Sequence, residues 1–331
     1  MPEKKSVISS LSSLLKTVDI PGLGRKSQGK VRDYYTVNGK RILITTDRIS
    51  AFDRVLGFIP FKGQVLNQLS LFWFGKTADI VENHLIEVIH PNVAIAKEAR
   101  PYPVEMVVRG YITGVTSTSI WHAYRLGERN IYGLPFGEGL KKNQSLTRPI
   151  ITPTTKAEHG QHDERISREI ILKRKLVPAD VLSRMEKISL KLYKRGCEIC
   201  KKRGLILIDT KYEFADYKGK LILIDEIHTP DSSRYWKADN YRKCIKKGIE
   251  PENFDKEFFR KWYTKQNYRG DGNPPKMSRD LQIKTAFRYI KIYEMITGKK
   301  FIPQKYPLEE RIKEAVIVYL RKTASKKNKI W

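Results

Sequence analysis

Cysteine is scarce: three in 331 residues. That is too few for a disulfide framework and makes a reducing cytoplasm the expected compartment. No apolar run approaches the roughly 20 residues that span a bilayer. The opening MPEKKSVISSLSSLLKTVDIPG is broken by serines and lacks a small-residue cleavage site. It reads as a short amphipathic helix over about the first 20 residues, not as a signal peptide. Acidic side chains are heavily outnumbered, 36 Asp and Glu against 64 Lys and Arg, for a net charge of +28. Residues 241–331 hold 24 basic and 10 acidic residues, half of that excess. Such a surface suits either a nucleic-acid binder or an enzyme whose field draws in anionic substrates. The cations are dispersed, apart from runs such as Lys173-Arg174-Lys175 and Lys201-Lys202-Arg203. No zinc-finger spacing or heptad-linked basic region accompanies them, which favours the enzyme.

What the chain does have is a globular balance, 40% hydrophobic and 30% charged, at a length that admits one elaborate domain or two to three lobes. Asn38-Gly39 predicts a two-residue hairpin turn ahead of a strand over Arg41–Thr45. Residues 64–76 read as a helix and Val104–Val108 as a short apolar strand. Residues 126–165, rich in Gly, Pro, Asn and Thr, read as a long irregular connection. The clearest helix covers 180–203, with Asp180 as N-cap, one face formed by Leu182, Met185, Ser189 and Leu192, and Gly204 at its end. A second is bounded by Ser278 and Gly298, and a last one follows Pro307 as far as Lys322. No internal repeat is present.

The segment GLILIDTKYEFADYKGKLILIDEIHTPDSSRYW predicts two strands around a Tyr217-Lys218-Gly219-Lys220 turn. Period-two alternation sets Asp209, Lys211 and Glu213 on one face. A three-residue loop centred on Gly219 places Glu213 opposite Asp225; a two-residue loop shifts that by one. Carboxylates and a lysine gathered there suit Mg²⁺ bridging nucleotide phosphates or, equally, a cross-strand ion pair. GLGRKSQGKVRD is able to drape N–H groups and Lys30 over phosphates, yet Val31 stands where a P-loop needs Ser or Thr, so an ordinary glycine turn is the better reading of these residues alone. Glu158, His159, His162 and Asp163 fit no zinc spacing. Cys197 and Cys200 have no second pair and read as inert thiols. There is no nucleophile elbow.

Together these segments resemble the phosphoribosylaminoimidazole-succinocarboxamide synthase (SAICAR synthetase) family over roughly residues 25–265. The resemblance is carried by PVEMVVRGYITG (103–114), LIDTKYEF (207–214) and DEIHTPDSSR (225–234). GKVRD (29–33), SAFD (50–53), TKAEHGQHDE (155–164) and DKEFFR (255–260) add to it. It implies an α/β (α+β) fold of two lobes related to ATP-grasp and kinase-like nucleotide folds. A mostly antiparallel N-terminal lobe at 1–110 carries the glycine-rich loop, a C-terminal lobe at 111–331 carries the hairpin and a helical tail, and ATP lies between them. The implied reaction joins L-aspartate to carboxyaminoimidazole ribotide through an acyl phosphate, with ATP and Mg²⁺. The implied partners are those small molecules, with no membrane or nucleic acid, in a monomer or homodimer.

Carried over residue by residue, the resemblance assigns Gly29 and Lys30 to the ATP phosphates, Glu105 to the adenine pocket and Lys211 to the nucleotide. Glu213 and Asp225 hold Mg²⁺. Arg109, Ser233 and Arg234 grip the ribotide phosphate, and Asp53 lines the imidazole pocket. Lys156 and Asp163 border the reacting carboxylate and the metal; Lys211, Asp225 and Lys156 form the catalytic set. The family's serine after Gly114 is Val115 here, with Thr113 or Thr116 as substitutes, and Ala215 replaces a glycine. A kinase is the rival enzyme, but its catalytic-loop and DFG motifs are absent.

Overall fold

The computed structural model describes residues 2–156 and 163–327. They are distributed over two compact units: Met1–Phe72 with His84–Glu98 and Phe258–Trp331, and Trp73–Asn83 with Ala99–Glu257. Lobes drawn at 1–110 and 111–331 are single stretches, whereas these units are not. Long-range strand pairing gathers 99–110 with 205–217, and the end of the chain packs with its beginning. Among the described residues no helix is long and apolar enough to cross a membrane.

In the first unit, strands β1 (Ser27–Gln28), β2 (Arg32–Val37) and β3 (Lys40–Thr45) are followed by the hairpin β4 (Arg48–Ala51) and β5 (Arg54–Phe58), then by β6 (Leu85–His90) and β7 (Val93–Lys97). An antiparallel sheet runs β1-β2-β3-β7-β6. Its first hairpin turns on Asn38 and Gly39, at φ 50° and 70°, the left-handed pair that a two-residue turn demands. Ile42, Ile44, Val93 and Ile95 bury against Leu308, Ile312 and Val316, spaced by four on and just before the helix Glu309–Lys327. The helix Arg279–Thr297 begins where expected: the Ser278 hydroxyl accepts from the Leu281 N–H, and Gly298 ends it at φ 71°. The N-terminal helix is shorter than expected, Lys4–Ser9.

The second unit contains β8 (Arg100–Tyr111), β9 (Asn130–Ile131), β10 (Leu134–Pro135), β11 (Ser145–Ile151), β12 (Thr154–Thr155), β13 (Leu205–Tyr217), β14 (Lys220–Ile224) and β15 (Ser233–Lys237). Its main sheet is antiparallel, β11-β8-β13-β14, with β12 also on β8 and β15 also on β13. The 126–165 stretch is therefore less irregular than its composition suggests. β11 escapes sequence reading because SLTRPII alternates poorly and is mostly exposed or half-buried. The helix Ala179–Lys202 buries Leu182, Met185, Ser189 and Leu192 as expected, but starts from Pro178, with Asp180 inside its first turn. The β13–β14 turn has two residues, Lys218 and Gly219, both at positive φ. That choice decides the register and moves Asp225 past the strand end.

Candidate functional site: one polar face of the β8–β13 pair

On β8, Glu105, Val107 and Arg109 stand opposite Glu213, Lys211 and Asp209 on β13, so period-two alternation puts all six on one face. Met106, Val108, Thr210 and Tyr212, which alternate with them, are buried. The fold thus spends one face on the core and leaves the other for polar chemistry.

At one end of that face two arginines share one carboxylate. β15 pairs Arg234 with Asp209 from the other side of β13. Arg234 donates through Nε to both Asp209 oxygens, at 2.9 and 3.0 Å, and through Nη2 as well. Arg109 donates from Nη1 to Asp209 at 3.2 Å, from Nε to Thr152 at 2.8 Å and from Nη2 to the Thr118 carbonyl at 2.9 Å. Burial alone would lower the Arg234 pKa; Asp209 more than reverses this and raises it. Two guanidiniums around one carboxylate leave a positive excess. Asp231, three residues before Arg234 in sequence, lies 3.1 Å from Lys256. Gly114, at φ +95°, passes so close that a Cβ there would stand 2.5 Å from Arg234 Nη1. Of the substitute hydroxyls, Thr113 donates to Asn143 at 2.6 Å and Thr116 lies 3.5 Å from Thr118. Ser233 is one residue out of phase with Arg234 and donates to Thr210 at 2.7 Å.

At the other end Glu105 and Glu213 are directly opposed, an arrangement that repels unless a cation intervenes. Lys211 Nζ supplies it, 2.6 Å from each, and Lys156 Nζ sits 2.6 Å from the second Glu213 oxygen. Thr154 donates to Glu105 at 3.2 Å. Burial pushes Glu105 up to about 7, opposed by Lys211 and reinforced by Glu213 and Asp163. Glu213 goes the other way: burial would raise it, but Lys211 and Lys156 hold it well below the usual carboxylate range. Lys211 and Lys156 are both raised, their carboxylate neighbours outweighing burial.

Asp225 follows β14 at φ 63°. Glu213 faces Ile224 rather than Asp225, yet the Asp225 charge still acts on Lys156 and Lys211. Asp163 likewise acts on Glu105. Glu158, His159 and His162 lie outside the described residues. Among the described residues no three Asp, Glu, His or Cys side chains gather as a metal-binding group. Cys197 is pushed up to about 11 by burial, and burial raises Cys200 as well, which fits inert thiols.

The first unit holds Gly29, Lys30 and Asp53. Lys30 Nζ lies 2.5 Å from an Asp53 oxygen, both part-exposed. Gly29 makes a tight turn through its N–H to the Arg32 carbonyl, 2.7 Å. A Cβ at Gly29 would meet nothing nearer than that carbonyl, at 3.6 Å. The protein itself leaves room for a side chain there.

The residue that sequence reasoning underrated is Asp209. Alternation put it on the right face, but its bond to Arg109 spans 100 positions, and nothing local signals a partner so remote.

A model of the SAICAR synthetase family matches residues 25–276. The chain belongs to that family. A SAICAR synthetase relative from Legionella pneumophila (strain Paris), named phosphoribosylaminoimidazole-succinocarboxamide synthase, is 49% identical over 287 residues, 86% of this chain and 91% of the relative. A solved SAICAR synthase from Saccharomyces cerevisiae, complexed with SAICAR, superposes with a TM-score of 0.75 at 33% identity, covering 87% of this chain and 99% of the other. A SAICAR synthetase solved with ADP gives a TM-score of 0.64 at 26% identity, covering 84% and 100%. The mixed helical and antiparallel architecture is thus the family's own.

Proposed function

We propose that this chain joins L-aspartate to carboxyaminoimidazole ribotide, consuming ATP, as a ligase of purine biosynthesis. The observation that carries the reading is the polarity of the β8–β13 face: paired guanidiniums at one end, lysines and carboxylates at the other. That arrangement fits an extended substrate with a phosphate monoester at one end and a carboxylate at the other. Arg109 and Arg234 take the phosphate, with Arg234 Nη1 beside Gly114 as the nearer donor; Ser233 would have to act through Thr210. Lys156 and Asp163 border the reacting carboxylate, and Asp53 borders the imidazole. Glu105 and Lys211 contact the nucleotide. Gly29 and Lys30 take its phosphates, an assignment supported by the open space over Gly29, where a ligand rather than the protein accounts for the missing side chain.

A free carboxylate is a poor acylating agent. Transfer of the ATP γ-phosphoryl to the ribotide carboxylate creates an acyl phosphate; the aspartate amine then attacks its carbonyl carbon, and phosphate leaves with the bonding pair as the amide forms. Such steps need positioning and charge stabilisation more than a protein nucleophile. Mg²⁺ fits the donors present: hard oxygens, with Glu213 held ionised and Asp225 at the strand end. Those two would hold it, and when bound it would neutralise charge building on the phosphates. Three free cysteines support a reducing compartment, and we assign the cytoplasm.

The test is turnover. With ATP, L-aspartate and the ribotide, ADP and succinocarboxamide should appear in equal amounts, and ADP should not form when the ribotide is omitted. ATP hydrolysis indifferent to the ribotide would overturn the reading.

A further inference from the structure

Arg48 lies outside every assignment made above, yet it is among the most heavily engaged side chains of the first unit. Only 5% of it is exposed. Its guanidinium donates from Nε to the Lys30 carbonyl at 3.2 Å, from Nη2 to the Gly29 carbonyl at 3.2 Å and from Nη1 to the Lys16 carbonyl at 2.7 Å. Nη2 also meets Asp33, which is wholly buried, at 2.8 Å. Asp33 is fixed in turn by the Thr17 hydroxyl at 2.6 Å and the Val18 N–H at 3.0 Å. Burial would raise the Asp33 pKa, but Thr17 and Arg48 outweigh it and the carboxyl titrates below its usual range. Asp33 is therefore held as the carboxylate, and the pair is seated beneath the glycine-rich turn by these hydrogen bonds.

The consequence follows from peptide geometry. In a trans peptide the C=O and N–H point in opposite directions. Arg48 draws the Gly29 and Lys30 carbonyls inward, so the N–H groups on the far edges of those two peptides, those of Lys30 and Val31, face away from it. We infer that Arg48 is a positioning residue for ATP: it holds the 29–31 backbone with its N–H groups outward, as a cradle for the phosphates. This rests on the assignment of that turn to ATP. Only arginine presents enough donors in one plane to serve two consecutive carbonyls, a third from Lys16 and a carboxylate; lysine keeps the charge but offers three donors from a single point.

The experiment compares wild type, Arg48→Lys, Lys30→Ala and the double variant, measuring KM for ATP, ribotide and L-aspartate, with thermal unfolding as a check on folding. Arg48→Lys should raise KM for ATP about tenfold, the scale of one lost charge-assisted hydrogen bond, and leave the other two within about twofold. In the Lys30→Ala background the same change should cost less, since both act on one turn. An Arg48→Lys enzyme with unchanged KM for ATP, or with all three raised alike, overturns the inference. If Lys30→Ala also leaves ATP unaffected, the assignment of the turn itself has failed; if only Arg48→Lys does, that assignment stands. Should Arg48→Lys not fold, hydrogen exchange in the wild type decides. ATP should slow exchange at the Lys30 and Val31 amides by about tenfold or more, and unaltered exchange there overturns the cradle.

Discussion

Arg234 and Asp225 show what single positions contribute. Arg234 spends Nε and Nη2 on Asp209 and keeps Nη1 beside Gly114. Lysine there would retain the charge but could not hold Asp209 and present a second donor in the same plane. Arg234→Lys should therefore raise KM for the ribotide about ten- to a hundredfold, equivalent to roughly 1.5–3 kcal/mol for a charge-assisted hydrogen bond. ATP affinity should stay within about twofold. Separate titration of each substrate checks this, and equal weakening of both would mean a misplaced site. Asp225 is different in kind, because the role proposed for it is charge at a metal. Asp225→Asn should depress turnover and the apparent Mg²⁺ affinity by more than the roughly 10–100-fold seen on losing an outer partner of a metal site. A Mg²⁺ titration of turnover measures it; near-normal activity at ordinary Mg²⁺ would remove Asp225 from the metal. The shared face of Asp209, Lys211 and Glu213 was legible in the sequence, because period-two alternation along a strand is local. Their pairing was not. The Arg109–Asp209 and Lys211–Glu105 bonds span 100 and 106 positions, and register between strands so far apart is set by the whole sheet.

Among the elements, several turns and caps were readable because their chemistry is local, although the helix expected to be capped by Asp180 starts from Pro178. Asn38-Gly39, Ser278 and Gly298 each act where their residue types require. The Lys218-Gly219 turn was readable only to within one residue, and that residue carried Asp225 out of cross-strand register with Glu213. The loop after β14 depends on a buried histidine that no local pattern singles out. His228 lies 2.6 Å from the Tyr212 hydroxyl, its ring centroid is 4.6 Å from that of Trp73 at a tilt of 49°, and Gly196 on the helix Ala179–Lys202 leaves room for it. Burial pushes its pKa down to about 3, whereas an imidazole in the unfolded chain titrates near 6.5. Below pH 6.5 the unfolded chain takes a proton that the folded one refuses. The stability from this group is therefore complete above about pH 6.5 and is lost as pH falls towards 3. At about 1.4 kcal/mol per unit, the loss between pH 6.5 and 5 is about 2 kcal/mol. Thermal unfolding should show wild type losing several degrees over that interval and His228→Gln, though less stable at pH 7.5, losing fewer. Parallel pH profiles for the two proteins would assign the acid sensitivity elsewhere.

For the molecule as a whole, the remaining question is what a net charge of +28 is for. Family membership answers the choice left open by composition, because ATP, the ribotide and L-aspartate are all anionic and a positive field shortens the search for each. Little of that charge is committed to the site itself. Lys156, Lys211, Arg109 and Arg234 are balanced largely by Glu213, Glu105 and Asp209, while ion pairs such as Lys284–Asp280 and Lys313–Glu309 lie at the surface. Screening should therefore act on approach and not on chemistry. The Debye length falls from about 10 Å at 0.1 M salt to about 3 Å at 1 M, which removes long-range attraction but leaves contacts under 3 Å in a part-buried cluster nearly intact. Raising sodium chloride across that range should lower kcat/KM for the ribotide and for ATP several-fold while kcat changes by less than about twofold. Stopped-flow capture and steady-state turnover, run over the same salt series, separate the two quantities. A kcat that falls in step with kcat/KM would place the salt-sensitive charges inside the catalytic cluster. Tight, sequence-dependent binding of the purified protein to a nucleic acid at physiological salt would assign the basic surface to a different partner.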